Sequence, residues 1–349
     1  MMSKVKLIIK KTFLGKFINK CIWKRRFLKE AKKSLVKFKG TDISASEEKR
    51  ILQDMWNTRY KLGFNRNEYF WYRFEEKDWE ARHAFVPDNA RDKYCRQMNP
   101  PEIHLLFDDK AETYRTFKEF YGRECCRYRG DIDKVALKEF VQKHDRFIIK
   151  PNDMYCGIGI KVVDVNSFVS IDEMINQLNQ EYPKGLIAEE LIIQSDIMSA
   201  FHPSSVNSVR MPTVRFDDRI DIIHPFMRIG RNGACVDNAG SGGIMATVDV
   251  ESGILLAAAD EHGHTYINHP NTNVPIVGFQ IPRWEEAKAL VRELAQVVPN
   301  QRYAGWDIAL TDNGWVMIEG NARGQFVWQI VTQEGFRREI ETIMQELNL

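Results

Sequence analysis

One hairpin near the C-terminal end restricts what this chain can fold into more than any other feature. Ile308 to Thr311 is followed by Asp312-Asn313-Gly314 and then by Trp315 to Ile318. Asn-Gly between two apolar runs is a strong hairpin signal, because both turn residues tolerate positive φ. Strands joined this way bring their two open ends together. Asp307 stands at the start of the first run and Glu319 at the end of the second. Glu319 and Asn321 are two apart, so in extended backbone they share a face. Three oxygen donors directed at one spot suit Mg²⁺, with phosphate oxygens and water completing the octahedron. A solvated hairpin with ordinary surface acids explains the same residues, and the hairpin alone leaves both readings open.

The rest of the chain alternates helix and strand signals. Ile103 to Phe107 reads as a short apolar strand, and a helix follows from about Asp109 to Tyr121 with Asp108 or Asp109 as its N-cap. Phe147-Ile148-Ile149 is a buried strand, 152–159 a loop, Ile160 to Val165 a strand and 171–180 a helix. Leu186 to Ile193 is apolar with two acids inside it. Ser208 to Phe216 alternates, turns at Asp217-Asp218 and returns over Ile220 to Ile229. Ile244 to Val250 and Ile254 to Ala258 make another hairpin. Trp284, Ala287, Val291, Leu294 and Val298 recur at helical spacing over 283–298, with Pro282 near the start and Pro299 at the end. The dense aromatics Tyr69-Phe70-Trp71-Tyr72 and Phe74 suit a core or a lid. The class is α+β with largely antiparallel sheets.

The 349 residues suggest about two domains. No apolar run approaches the ~18 residues of a membrane-spanning helix. The net charge of +2 conceals an asymmetry. Residues 1–40 hold fourteen Lys or Arg against the single acid Glu30, about +13, which leaves the remainder acidic at about −11. Ile8, Phe13, Phe17, Ile22, Trp23, Phe27 and Leu35 are interleaved with these cations at helical spacings. The segment suits an anionic membrane surface, or a helix packed on the body with a solvated basic face. Lysines interrupt every candidate signal-peptide core. No RNA-binding signature accompanies the charge, so no nucleic acid is expected. The six cysteines include no CxxC pair and read as reduced thiols. Glu261-His262-Gly263-His264 with His269 makes a poor zinc site, with no cysteine near it.

Two further features suit phosphate. Lys150 ends a buried strand, and Gly157 and Gly159 follow it, where backbone N–H groups approach anions closely. The spacing is not that of a Walker loop, and a lone Gly-x-Gly is ordinarily a hairpin turn. Lys110, in Asp108-Asp109-Lys110, lies forty residues earlier. Glu189 and Glu190 interrupt an apolar strand, where acids are costly to bury unless they meet a partner.

In this order, Lys110, Lys150 with its glycine loop, Glu189-Glu190 and Asp307 with Glu319-Gly320-Asn321 resemble the ATP-grasp superfamily from about Ile103 to Ile330. His202 to Arg210, Asp237-Asn238 through Gly240-Ser241-Gly242-Gly243-Ile244, and Val248-Asp249 with Gly253 are similar to its sugar-transfer-associated branch, which is linked to polysaccharide biosynthesis. The loop 152–157 is poorer in glycine and serine than in many such ligases.

The resemblance implies an ATP-grasp fold: two α+β lobes with largely antiparallel sheets gripping ATP, plus the basic helical N-terminal segment. It gives three segments: 1–40 basic, 41–145 acceptor-side and linker, and 146–349 nucleotide- and metal-binding. It implies that Lys110 and Lys150 hold the α- and β-phosphates and that Gly157 and Gly159 lie in the loop over the nucleotide. Glu189 and the backbone at Leu191 and Ile192 would contact adenine, and Asp196 the ribose. Asp307, Glu319 and Asn321 would bind Mg²⁺, as two ions for which Mn²⁺ substitutes. Arg210, Arg228 and Arg323 are implied for the γ-phosphate or a substrate carboxylate, which a guanidinium grips by two bonds. The expected activity is ATP-dependent ligation of a carboxylate to an amine through an acylphosphate, in polysaccharide, capsule or cell-envelope biosynthesis. The substrates would be small or sugar-linked. The location would be cytoplasmic, peripheral on the inner membrane face. The alternative is a kinase acting on a hydroxyl of a sugar or related small molecule.

Overall fold

The chain divides into two compact units, one of residues 1–91 and 333–338 and one of residues 92–332 and 339–349. The computed structural model describes residues 13–152 and 158–349. Gly157 and Cys156 of the expected phosphate loop, and the first twelve residues of the basic segment, lie outside the described residues.

The first unit is helical. Helix α1 (Phe13–Lys39) carries the basic segment, and α2 (Ala45–Leu62) follows it. Ser44 caps α2 by accepting from the Glu47 N–H, and Gly63 ends it in the left-handed conformation. One face of α1 packs on α2. Ala31 and Leu35 are fully buried, and Trp23 meets the Trp56 ring edge-on at 4.9 Å. Arg25, Arg26 and Lys29 are exposed on the other side. The dense aromatics are core: Tyr69, Tyr72 and Phe74 are buried, and Phe74 meets Phe64 edge-on at 4.7 Å. Arg82, also buried, grips Asp54 through two bonds of 2.9 and 2.8 Å.

In the second unit the expected strand at Ile103–Phe107 is a helix instead, α3 (Pro101–Asp108). Pro101 at its first turn has the required φ and no N–H to lose. Ile103 and Phe107, four residues apart, fall on one buried side. Four apolar residues interrupted only by His104 cannot separate the two periods. Asp109 then caps α4 (Lys110–Tyr121) by accepting from the N–H groups of Ala111 and Glu112.

A four-stranded antiparallel sheet runs in the order β1 (Cys125–Tyr128), β4 (Leu186–Glu190), β2 (Arg146–Pro151), β3 (Lys161–Asp164). Phe140 of α5 (Lys134–Lys143) and Met174 of α6 (Ile171–Glu181) pack with Phe147, Ile149 and Ala188 on one face. Because β1 pairs with β4, residues 92–145 fold with the strands that follow them.

A larger sheet comprises β5 (Val209–Arg215), β6 (Ile220–Ile222), β7 (Phe226–Ile229), β8 (Ile244–Val248), β9 (Leu255–Ala259), β10 (Tyr303–Thr311) and β11 (Gly314–Asn321). Its order is β11-β10-β5-β7-β8-β9, with β6 beside β5. The return expected over Ile220–Ile229 is two strands, broken at His224, whose φ is +43°. Trp284, Ala287, Val291 and Leu294 of α7 (Trp284–Val297) enter one core with Val209, Met227, Ile308 and Met317. Each such side chain contributes roughly 1.5–3 kcal/mol on burial. All these pairings are antiparallel, so the α+β class and the antiparallel sheets stand as expected.

Candidate functional site

The polar side of the larger sheet follows from strand alternation. Val209, Met211, Met227 and Ile308 point into the core, so Ser208, Arg210, Arg228 and Asp307 point to the other face. Glu319 reaches that face through a bulge. Asp307 pairs with Glu319 but Ile308 pairs with Met317, which leaves Ile318 as the extra residue. In strict alternation Met317 and Glu319 would share a face. The bulge lets Met317 stay in the core while Glu319 turns toward Asp307.

Asp307 is fully buried. Arg210 donates Nε to its Oδ1 at 2.5 Å and Nη2 to its Oδ2 at 2.6 Å, and Arg228 donates Nη2 to Oδ2 at 2.8 Å. Burial alone would push this carboxyl up, but the two guanidiniums hold it at about 2. Glu319 lies 3.6 Å from Arg210 and accepts from the Asn321 amide at 3.3 Å. Burial, and then the charge of Asp307, raises the Glu319 carboxyl. Among the described residues no group of three Asp, Glu, His or Cys could hold a metal ion. The donor set here is two carboxylates and one amide. Mg²⁺ takes such a set when phosphate oxygens and water fill its other positions, and a cation would relieve the repulsion between the two acids. These residues fit that ion.

Two arginines differ in how they are used. Arg228 donates Nε to Ser208 Oγ at 2.9 Å, Nη1 to Asn238 Oδ1 at 3.0 Å and Nη2 to Asp307. That leaves two of its five N–H groups, one on each terminal nitrogen, beyond these protein acceptors. Arg123 has none to spare. Its nitrogens donate to Glu189 Oε2, to the Tyr121 carbonyl at 3.0 Å, and to the Met317 and Ile318 carbonyls at 2.7 and 3.4 Å. The last two carbonyls belong to the bulge. Arg123 therefore ties β4 to the irregularity that aims Glu319. Nothing in the sequence marks it out, since the two bulge carbonyls it holds are 194 and 195 residues away.

On the four-stranded sheet, Lys150 and Glu189 lie on the face away from α5 and α6. Both are buried, and Lys150 Nζ is 2.8 Å from Glu189 Oε1. Burial would raise the Glu189 carboxyl, but Lys150 and Arg123 lower it. The carboxylate expected toward adenine is thus held by two cations. Leu191 and Ile192 lie just past the end of β4, and their N–H groups enter no backbone hydrogen bond among the described residues. Asp196 is exposed at the start of the one-turn helix Asp196–Ser199. Gly159 is exposed, with φ at +74°. Lys110 opens α4, which packs against β11. Arg323 binds Asp108 at 2.8 and 3.0 Å.

Two of the histidines have structural partners. His202 receives the Gly233 N–H on Nε2, and His269 Nε2 lies 2.9 Å from the Gly230 carbonyl. Both are buried, which lowers their basicity and suits the neutral ring. They fasten the start of the loop that carries Asp237 and Asn238.

No curated protein matches the sequence. Among solved structures, D-alanine–D-alanine ligase from Helicobacter pylori is 13% identical with a TM-score of 0.47, over 75% of this chain and 70% of that one. N5-carboxyaminoimidazole synthetase from Staphylococcus aureus, complexed with ADP, is 13% identical with a TM-score of 0.43, over 70% of this chain and 53% of that one. The ATP-grasp ligase PsnB, complexed with a phosphomimetic variant of its minimal precursor, Mg and ADP, is 12% identical with a TM-score of 0.43, over 71% of this chain and 62% of that one. The model of the sugar-transfer associated ATP-grasp family matches residues 89–345, which include every residue of the two clusters above. The chain belongs to the sugar-transfer associated ATP-grasp family.

Proposed function

We propose that the chain is an ATP-dependent carboxylate–amine ligase. The observation that carries this reading is the convergence of Arg210, Arg228, Asp307, Glu319 and Asn321 on one sheet face. Lys150 and Lys110 hold the α- and β-phosphates, and Lys150 exchanges Glu189 for phosphate when nucleotide enters. Gly157 and Gly159 belong to the loop over the nucleotide. The unpaired backbone at Leu191 and Ile192 meets adenine, and Asp196 meets the ribose. Asp307, Glu319 and Asn321 hold Mg²⁺, two ions in the working enzyme, with Mn²⁺ as a substitute. When bound, the ion screens phosphate charge and polarises the terminal phosphoryl group.

Arg210 and Arg228 supply fixed positive charge where charge builds up on the transferred phosphoryl group. A carboxylate oxygen attacks the γ-phosphorus and ADP leaves. An amine then attacks the acyl carbon, the C–O bond to phosphate breaks, and the nitrogen loses a proton. Arg323 takes a substrate carboxylate in exchange for Asp108. The substrates are small or sugar-linked, within polysaccharide or cell-envelope assembly. The outward basic face of α1 rests on an anionic inner membrane surface, which salt-sensitive sedimentation with phosphatidylglycerol vesicles would report.

The deciding experiment is ADP release from Mg-ATP, screened against amino acids and uronic acids, with Glu319→Ala as control. Release that needs both a carboxylate and an amine, and is lost in the variant, supports the ligase. Release with a hydroxyl compound alone overturns it in favour of a kinase.

A further inference from the structure

We infer that Asp237 is a positioning residue that aims Arg228 at the terminal phosphate. This rests on the ATP-site reading above. Asp237 is buried and belongs to no helix or strand. Its Oδ2 accepts both the N–H and the Oγ–H of Ser208, at 3.0 and 2.5 Å. With its hydrogen so directed, Ser208 Oγ presents a lone pair to Arg228 Nε at 2.9 Å. Asp237 Oδ1 also lies 3.6 Å from that nitrogen. The next residue, Asn238, accepts from Nη1. Nε, Nη1 and Nη2 are thus each fixed by an acceptor, which sets the plane of the guanidinium.

The loop itself is rigidly built. The Ser241 and Gly243 N–H groups both close on the Asn238 carbonyl. A Cβ on Gly243 would lie 2.2 Å from the Asp237 carbonyl oxygen, so only glycine permits this turn. Arg231 holds the Gly242 carbonyl, and Arg231 is in turn held by Asp260 and Tyr266. Two N–H groups of Arg228 remain, one on each terminal nitrogen, which is the pair that grips a phosphate edge.

The test is isothermal titration of the full chain with Mg-ADP and with Mg-AMPPNP. The ratio of the two affinities isolates the terminal phosphate. Asp237→Ala is expected to lower that ratio about tenfold, the loss of one well-aimed charge-assisted contact, with Mg-ADP affinity within twofold of wild type. In an Arg228→Ala background the same change should leave the ratio unmoved. Asn238→Ala removes only the Nη1 acceptor and serves if Asp237→Ala does not fold. It should lower the ratio in the same direction. A purely structural role for Asp237 would lower the melting temperature and leave the ratio intact, which overturns the inference. An equal loss in the Arg228→Ala background overturns it too. A wild-type protein that binds neither nucleotide overturns the ATP-site reading itself; one that binds both leaves only the role of Asp237 at issue.

Discussion

Replacing Glu189 by Gln would remove the one anion between two buried cations. The side chains of Arg123, Glu189 and Lys150 are only 3%, 4% and 9% exposed, so solvent screens them little. Removing one member of a buried ionic set costs roughly 3–5 kcal/mol, because the charge left behind has no counterion. Here two charges are left. For a unit of this size that is a fall of roughly 10 °C in melting temperature. Lys150→Met is a different perturbation, since Arg123 still neutralises Glu189 through two N–H groups. It should cost about 1–2 kcal/mol. The double variant should cost less than the two single costs together by at least about 1 kcal/mol, because Lys150 no longer needs the anion. Urea denaturation followed by far-UV circular dichroism measures all three. If Lys150→Met costs as much as Glu189→Gln, or if the two effects add, the triad is not the electrostatic unit argued here.

Three further outcomes are expected. Gly320→Ala would place a Cβ 2.3 Å from Phe107 Cε1 and 3.0 Å from Trp306, so α3 or β11 must shift, at a cost of about 1–3 kcal/mol in chemical denaturation; unchanged stability would contradict the packing. Burial would raise the Asp260 carboxyl, but hydrogen bonds from Tyr266, His264 and two backbone N–H groups pull it to about 2. Its folded-state pKa lies below its ordinary value, so this contribution of roughly 2 kcal/mol is complete above about pH 4 and is lost as pH falls toward 2; Asp260→Asn should flatten that part of the stability profile. Glu319→Ala should abolish the gain in ADP affinity that Mg²⁺ confers while sparing metal-free ADP binding, measured by titration with and without EDTA; an Mg²⁺ gain that survives places the ion elsewhere.

Much of the candidate site was legible in the sequence because its signals are local. The turn at Asp312-Asn313-Gly314 brings the far ends of β10 and β11 together, so Asp307 and Glu319 were expected close to each other, although the register of the turn alone would pair Asp307 with Ile318. Glu319 and Asn321 needed only the two-residue repeat of extended chain. Asp109 as a cap, the α7 stripe and the strand ending at Lys150 rest likewise on short-range backbone chemistry. The run Ile103–Phe107 misled because so short a mainly apolar run fits either period, and the helix is decided by Pro101 and by packing against β11.

What the sequence by itself determined was most of the elements around the site, their antiparallel class and the identity of the acids and lysines. What only the tertiary structure decided was their pairing. The bulge at Ile318 cannot be read from the chain, because an irregularity appears only against a partner strand. Arg123 carries no signal of its own, and Ser208 and Asp237 entered only as members of family-like stretches with no role; their importance comes from partners distant in sequence. Arg210 and Arg228 were expected at a phosphate, and in this structure both bind Asp307, because a buried carboxylate requires positive charge beside it. Contacts of this kind depend on which strands lie side by side, and local propensity does not encode that order.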